Sequence, residues 1–99
     1  MSHWEYRIAF KRHVVEYEDF DTNLCKLEEI EYGLVEAFYN DKGDLWLTTE
    51  RFIEPSGETK EELIENLEMM LKDAKKDAPV LDLEKLWKEL EMKEMENKL

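Results

Sequence analysis

The chain reads as an α+β domain: a three-stranded antiparallel β-sheet, a helix packed on one face and an acidic C-terminal helix. Three observations predict this. Strict period-two alternation opens the chain, two apolar runs flank an Asn-Asp-Lys-Gly-Asp turn, and a capped stretch of helical periodicity follows them.

In the first strand Trp4, Tyr6, Ile8 and Phe10 alternate with Glu5, Arg7, Ala9 and Lys11, the pattern of a strand that buries one side. The next stretch, 13–29, crowds Glu16, Glu18, Asp19 and Asp21 together, so its period is ambiguous. Residues 14–17 can prolong the strand, whereas 18–23 read as an acidic loop. Residues 30–39 and 45–53 are rich in aromatic, β-branched and aliphatic side chains and form the two strands of a hairpin. Asn40 starts its turn, and Gly43 supplies the left-handed residue that a three-residue loop needs.

If Asn40 and Asp44 close that loop, Phe38 faces Trp46, Leu34 faces Glu50 and Tyr32 faces Phe52 on one side of the sheet. Tyr39 faces Leu45, Ala37 faces Leu47, Val35 faces Thr49 and Gly33 faces Arg51 on the other. Both sides carry apolar groups, so each needs a cover. One cover is a helix over about 59–76. Thr59 and Glu62 fit a capping box, and Leu63, Ile64, Leu67, Met70, Leu71 and Ala74 share a face. Pro79 ends it, a brief extended link follows at Val80 and Leu81, and Asp82 can cap a second helix with the stripe Leu83, Leu86, Trp87 and Leu90. The expected division is a β-β-β-α domain over 1–81 and a helical extension over 82–99.

Ninety-nine residues suit one small core. Acidic residues outnumber basic ones by 26 to 14, and the net charge of −12 repels phosphate backbones and anionic lipid headgroups. Direct nucleic-acid binding and membrane binding are therefore not expected. With Cys25 alone, no internal disulfide can form and no Cys/His zinc set exists, which fits a reducing cytoplasm. No apolar run reaches spanning length, and the first residues lack the zones of a signal peptide.

The order of short motifs along the chain is distinctive. Trp4-x-Tyr6-Arg7-Ile8, then YGLVEAFYNDKG at 32–43, PSGETKEEL at 55–63, LEMML at 67–71 and PVLD at 79–82 resemble a group of short uncharacterised proteins of bacteria and their phages. That group's pattern reads roughly W-x-Y-R-[IV], H-E-[VA]-[FY]-Y-[DN]-x-x-G, P-x-G-x-T-x-E-E-L, a Met-Leu helix and P-V-L-D. The resemblance covers most of 4–82. The stretch 13–29 is longer than the group's first connection, and the chain from Leu86 onward lies beyond the motifs. The resemblance implies no reaction and no catalytic residue. The strand-strand-strand-helix order is also similar, at the level of fold, to the partner-binding domain of HicB-type antitoxins.

No catalytic constellation emerges. The acids of the Asn40–Asp44 turn do not follow calcium-loop spacing, His3 and His13 form no local ligand pair, and Pro55 to Thr59 lacks a phosphate-binding lysine. No cofactor is expected. The feature left is the sheet side bearing Tyr32, Leu34, Phe38, Trp46 and Phe52, which is either core under the second helix or a patch that asks for another chain. The expected function is a non-enzymatic interaction or regulatory module that binds itself or another protein. Two alternatives from other classes are a small metal-dependent hydrolase using acids around 16–21 or 28–31, and an acidic mimic of nucleic acid that occupies a basic protein.

Overall fold

The computed structural model describes residues 2–97. Strand β1 (His3–Glu18) runs antiparallel to β2 (Leu24–Tyr39), which pairs in turn with β3 (Leu45–Thr48). Helix α1 (Lys60–Ala74) follows, then the two-residue strand β4 (Leu81–Asp82) and helix α2 (Leu83–Asn97). The class is α+β, but the sheet is four-stranded and mixed, in the order β3-β2-β1-β4, rather than three-stranded and antiparallel. The difference arises after Pro79, where Leu81 and Asp82 lie parallel to β1 opposite Ala9 and Phe10. The link expected there is a strand because the free edge of β1 offers backbone partners.

The β1–β2 hairpin extends far beyond the core. Its ladder is unbroken from His3 opposite Tyr39 to Glu18 opposite Leu24, so the stretch expected to hold a loop is mostly strand. Only 19–23 turn. Charge obscured the strand because the outer part of this ribbon meets water on both faces, and alternation is not required there. The radius of gyration is 17.7 Å, against about 13 Å for a compact chain of this length. The excess reflects the projecting arm.

Both hairpin turns use one hydrogen-bond plan. In the second, Asn40 N–H donates to the Asp44 carbonyl at 2.9 Å and Gly43 N–H to the Asn40 carbonyl at 2.9 Å. The Asn40 Oδ1 accepts from Lys42 and Asp44 N–H, each at 3.0 Å. In the first, Asp19 N–H donates to Asn23, Thr22 N–H donates to Asp19, and Asp19 Oδ1 accepts from Asp21 and Asn23 N–H. The left-handed position is Gly43 (φ 82) in one turn and Thr22 (φ 61) in the other. A β-branched residue is strained there. Thr22→Gly is expected to stabilise the protein by about 0.5–1 kcal/mol, read as a higher urea midpoint; a lower midpoint would show that the Thr22 hydroxyl bond to the Asp21 carbonyl outweighs the strain.

The register of β3 differs from the expectation. Tyr39 does face Leu45, but Phe38 pairs with Leu47 and Ala37 with Thr48, so Trp46 is the extra residue of a β-bulge. Beyond Thr48 the chain leaves the ladder. Thr49 N–H still reaches the Glu36 carbonyl at 3.0 Å, and Ile53 N–H rejoins at the Leu34 carbonyl at 2.8 Å. Between these points Phe52 swings over Gly33, where a Cβ would stand 2.4 Å from the ring Cγ.

The helices take opposite faces. Asn66 of α1 donates to the Tyr6 hydroxyl at 3.0 Å, and Asp73 accepts from Tyr6 N–H at 3.0 Å, so α1 follows the outer edge of β1 on the Tyr6 side. Thr59 caps α1 by accepting from Glu62 N–H at 3.1 Å. Of its expected apolar face, Met70 is buried, while Ile64, Leu67 and Leu71 stay half exposed. The other face holds the core: Ala9, Val35 and Leu83 are fully buried, with Phe52, Leu81 and Trp87 packed against them. Asp82 accepts from Lys85 N–H at 3.3 Å as the expected cap of α2, and Trp87 Nε1 donates to Thr48 Oγ1 at 2.8 Å. The segment expected as an extension over 82–99 therefore supplies the central core residue, Leu83.

Candidate interaction surface

Alternation along β1 and β2 assigns the side chains to faces. Trp4, Tyr6, Ile8 and Phe10 share one face with Phe38, Glu36, Leu34 and Tyr32, their respective partners in the ladder. Tyr6 is buried there, whereas Trp4 and Tyr32 are exposed and Leu34 and Phe38 half-buried. Trp46 lines a small cavity of about 160 Å³ with Trp4 and Phe38. Four of the five expected surface residues, Tyr32, Leu34, Phe38 and Trp46, thus lie along one face and its edge. Phe52 does not join them. It sits on the Ala9 side, under the Lys11 ammonium at 4.8 Å, because the irregular stretch after Thr48 shifts it over the bare Cα of Gly33.

Sequence reasoning missed the arm. Its Tyr6-side face carries Val14, Leu24 and Ile30, and its other face carries Val15, Tyr17 and Leu27, all of them large and exposed. Leu24 keeps 74% of its surface and Val14 66%. No described helix or strand covers either face beyond Arg12. A signal was present: apolar residues of both parities in 14–17 and 24–30 flank Asp19 to Asn23, which matches the Asn40 to Asp44 plan.

The base of the arm is clamped electrostatically. The Arg12 guanidinium grips Asp82 at 2.9 and 3.1 Å and lies 3.7 Å from Glu84 and 3.5 Å from Glu28. The hydrogen bond to Asp82 raises the Arg12 pKa and lowers that of Asp82. Arg12 N–H also donates to Glu84 at 2.8 Å, which ties the strand edge to α2. Farther in, Tyr39 accepts from Arg7 at 2.7 Å and donates to Glu5 at 3.0 Å, while Lys76 holds Glu5 at 2.9 Å. Burial pushes the Tyr39 phenol up, and the Lys76 hydrogen bond pulls the Glu5 carboxyl down. Arg7 also donates to the Pro79 carbonyl at 2.6 Å and Lys76 pairs with Asp73 at 3.2 Å, so these groups anchor the α1–β4 connection.

The acids weighed as metal ligands are held apart. Asp19 accepts turn amides, chiefly Asn23 N–H, which lowers its pKa; Glu28 faces Arg12, and Glu31 meets His13 at 2.7 Å. Among the described residues no three His, Cys, Asp or Glu side chains stand close enough to share a metal ion. Between β3 and α2 an open groove of about 770 Å³ is lined by Trp46, Leu47, Trp87 and Leu90 together with Asp44, Glu50 and Glu91. No described helix is long and apolar enough to cross a membrane.

Comparison with protein-family models finds no match, and neither does comparison with curated proteins or with solved structures.

Proposed function

We propose that the protein is a non-enzymatic interaction module that acts by associating with a second copy of itself. The observation that carries this reading is the arm: two exposed strands with large apolar side chains on both faces that no described element covers. A two-stranded ribbon is marginal in water by itself, and an exposed patch of this kind gains stability when another chain buries it. The half-exposed stripe Ile64, Leu67 and Leu71 on α1, on the Tyr6 side with Tyr32, Leu34 and Phe38, adds to the apolar area on offer. The motif resemblance to short bacterial and phage proteins, which implies no reaction, agrees with a binding role.

Light scattering is expected to give about twice the 12.0 kDa mass of one chain, with hydrogen exchange of the arm amides slowing as concentration rises. A mass of one chain at every concentration, with fast exchange along the arm, would refute self-association. A second reading, capture of a basic protein segment, is favoured by the groove between β3 and α2, where Asp44, Glu50, Glu91 and Glu94 outnumber Lys93 beside Trp46 and Trp87.

A further inference from the structure

We propose that two copies join along the outer edge of β2, antiparallel about a two-fold axis at Leu27, to make one continuous sheet. The assignment rests on the self-association proposed above and names the surface and the register.

Backbone direction defines which groups are available. In β2 the even-numbered residues turn their N–H and C=O away from β1, as Leu34 and Glu36 show by bonding Ile53 and Thr49. By the same parity Leu24, Lys26, Glu28 and Ile30 present theirs outward, and no described strand pairs with that edge. The edge contains no proline or glycine from Leu24 to Ile30. A long unprotected edge of this kind is a template for another strand.

Side chains then select the register. A two-fold axis normal to the sheet keeps the same face up in both copies, so each residue can meet only partners of its own parity. With Leu27 opposite Leu27 of the second copy, Lys26 faces Glu28 and Leu24 faces Ile30, each twice by symmetry. Centring on Lys26 or Glu28 instead sets like charges against each other. The Leu27 register also joins Val15 and Leu27 of both copies into one apolar row, since these two already face each other in the ladder. On the opposite face Lys26 comes between Glu28 of the second copy and its own Glu16, which lies at 4.0 Å.

The outer edge of β1 is the competing surface, and it also has an apolar centre at Val15. It is obstructed: β4 occupies it at Ala9 and Phe10, and the Glu84 carboxylate takes the Arg12 N–H. Among the described residues the β2 edge has no such neighbour until Ile53 meets Leu34.

Single-cysteine cross-linking tests the register. In a Cys25→Ser background, Leu27→Cys sets two thiols across the axis in a non-hydrogen-bonded pair, with Cα atoms about 4.5 Å apart, within disulfide reach. Mild oxidation is expected to convert most of that variant to a covalent dimer and to leave Val15→Cys, in the same background, unlinked. Lys26→Glu is expected to weaken the dimer about tenfold, whereas Lys60→Glu, the same charge change on α1, leaves it intact with an equal circular-dichroism spectrum. Linking through Val15→Cys instead, or a dimer by scattering that neither cysteine traps, would overturn the β2 assignment while leaving self-association standing. A monomer by scattering would remove both.

Discussion

Leu83→Ala is expected to lower the unfolding free energy by about 2–5 kcal/mol, a large part of the roughly 5–15 kcal/mol typical of a small domain. Leu83 is the first residue of α2 and is fully buried beside Ala9 and Val35. Only a handful of side chains form that cluster, so few neighbours can relax into the cavity. Urea unfolding followed by tryptophan fluorescence should show the loss as a shifted midpoint with a nearly unchanged slope. A midpoint like that of the parent protein would mean that Leu83 does not hold α2 against the sheet.

Gly33→Ala is expected to destabilise by about 1–3 kcal/mol, because the added methyl must displace a packed ring. Its Cβ would lie 2.4 Å from Cγ of Phe52 and 2.6 Å from Cδ2. Phe52 in turn packs on the Ala9–Val35–Leu83 cluster and beneath Lys11, whose ammonium also donates to the Glu50 carbonyl. Phe52→Ala should destabilise as well, through lost burial. Combined, the two changes should couple strongly: in the Phe52→Ala background, Gly33→Ala is expected to become neutral or slightly stabilising, since alanine is less costly than glycine in a strand. Simple additivity would show that the ring does not occupy the space above Gly33.

Local chemistry made several elements legible. Alternation from Trp4 to Lys11, the Asn40–Gly43 turn and the Thr59 cap each depend on neighbours in sequence, and each stands where the residues indicate. What failed depends on distant partners. The bulge at Trp46 follows from how β3 closes on Phe38, and one inserted residue moved every later pairing, so Phe52 went to the opposite face from Tyr32. Strand β4 exists because β1 has an edge to offer at Ala9 and Phe10, a fact that Val80 and Leu81 do not announce. The arm was hidden because Glu16, Glu18, Glu28 and Glu29 resemble loop residues until they are seen as a ribbon in water. For the surface, the aromatic grouping was readable from Tyr32, Leu34 and Phe38, while Leu24, Leu27 and Ile30 required the ladder to be known.

The position of Leu83 along the chain has a consequence for synthesis. A hairpin closes in about 1–10 μs, whereas a ribosome adds about 5–20 residues per second. Between Tyr39, which completes the hairpin, and Leu83, which seals its inner face, translation therefore takes on the order of seconds, roughly a million times longer than the hairpin needs. Throughout that interval Ala9 and Val35 lack Leu83, the third fully buried member of their cluster, and can meet at most Phe52 and Leu81. The nascent sheet is thus open to chaperones and to neighbouring chains on the same message until α2 is made.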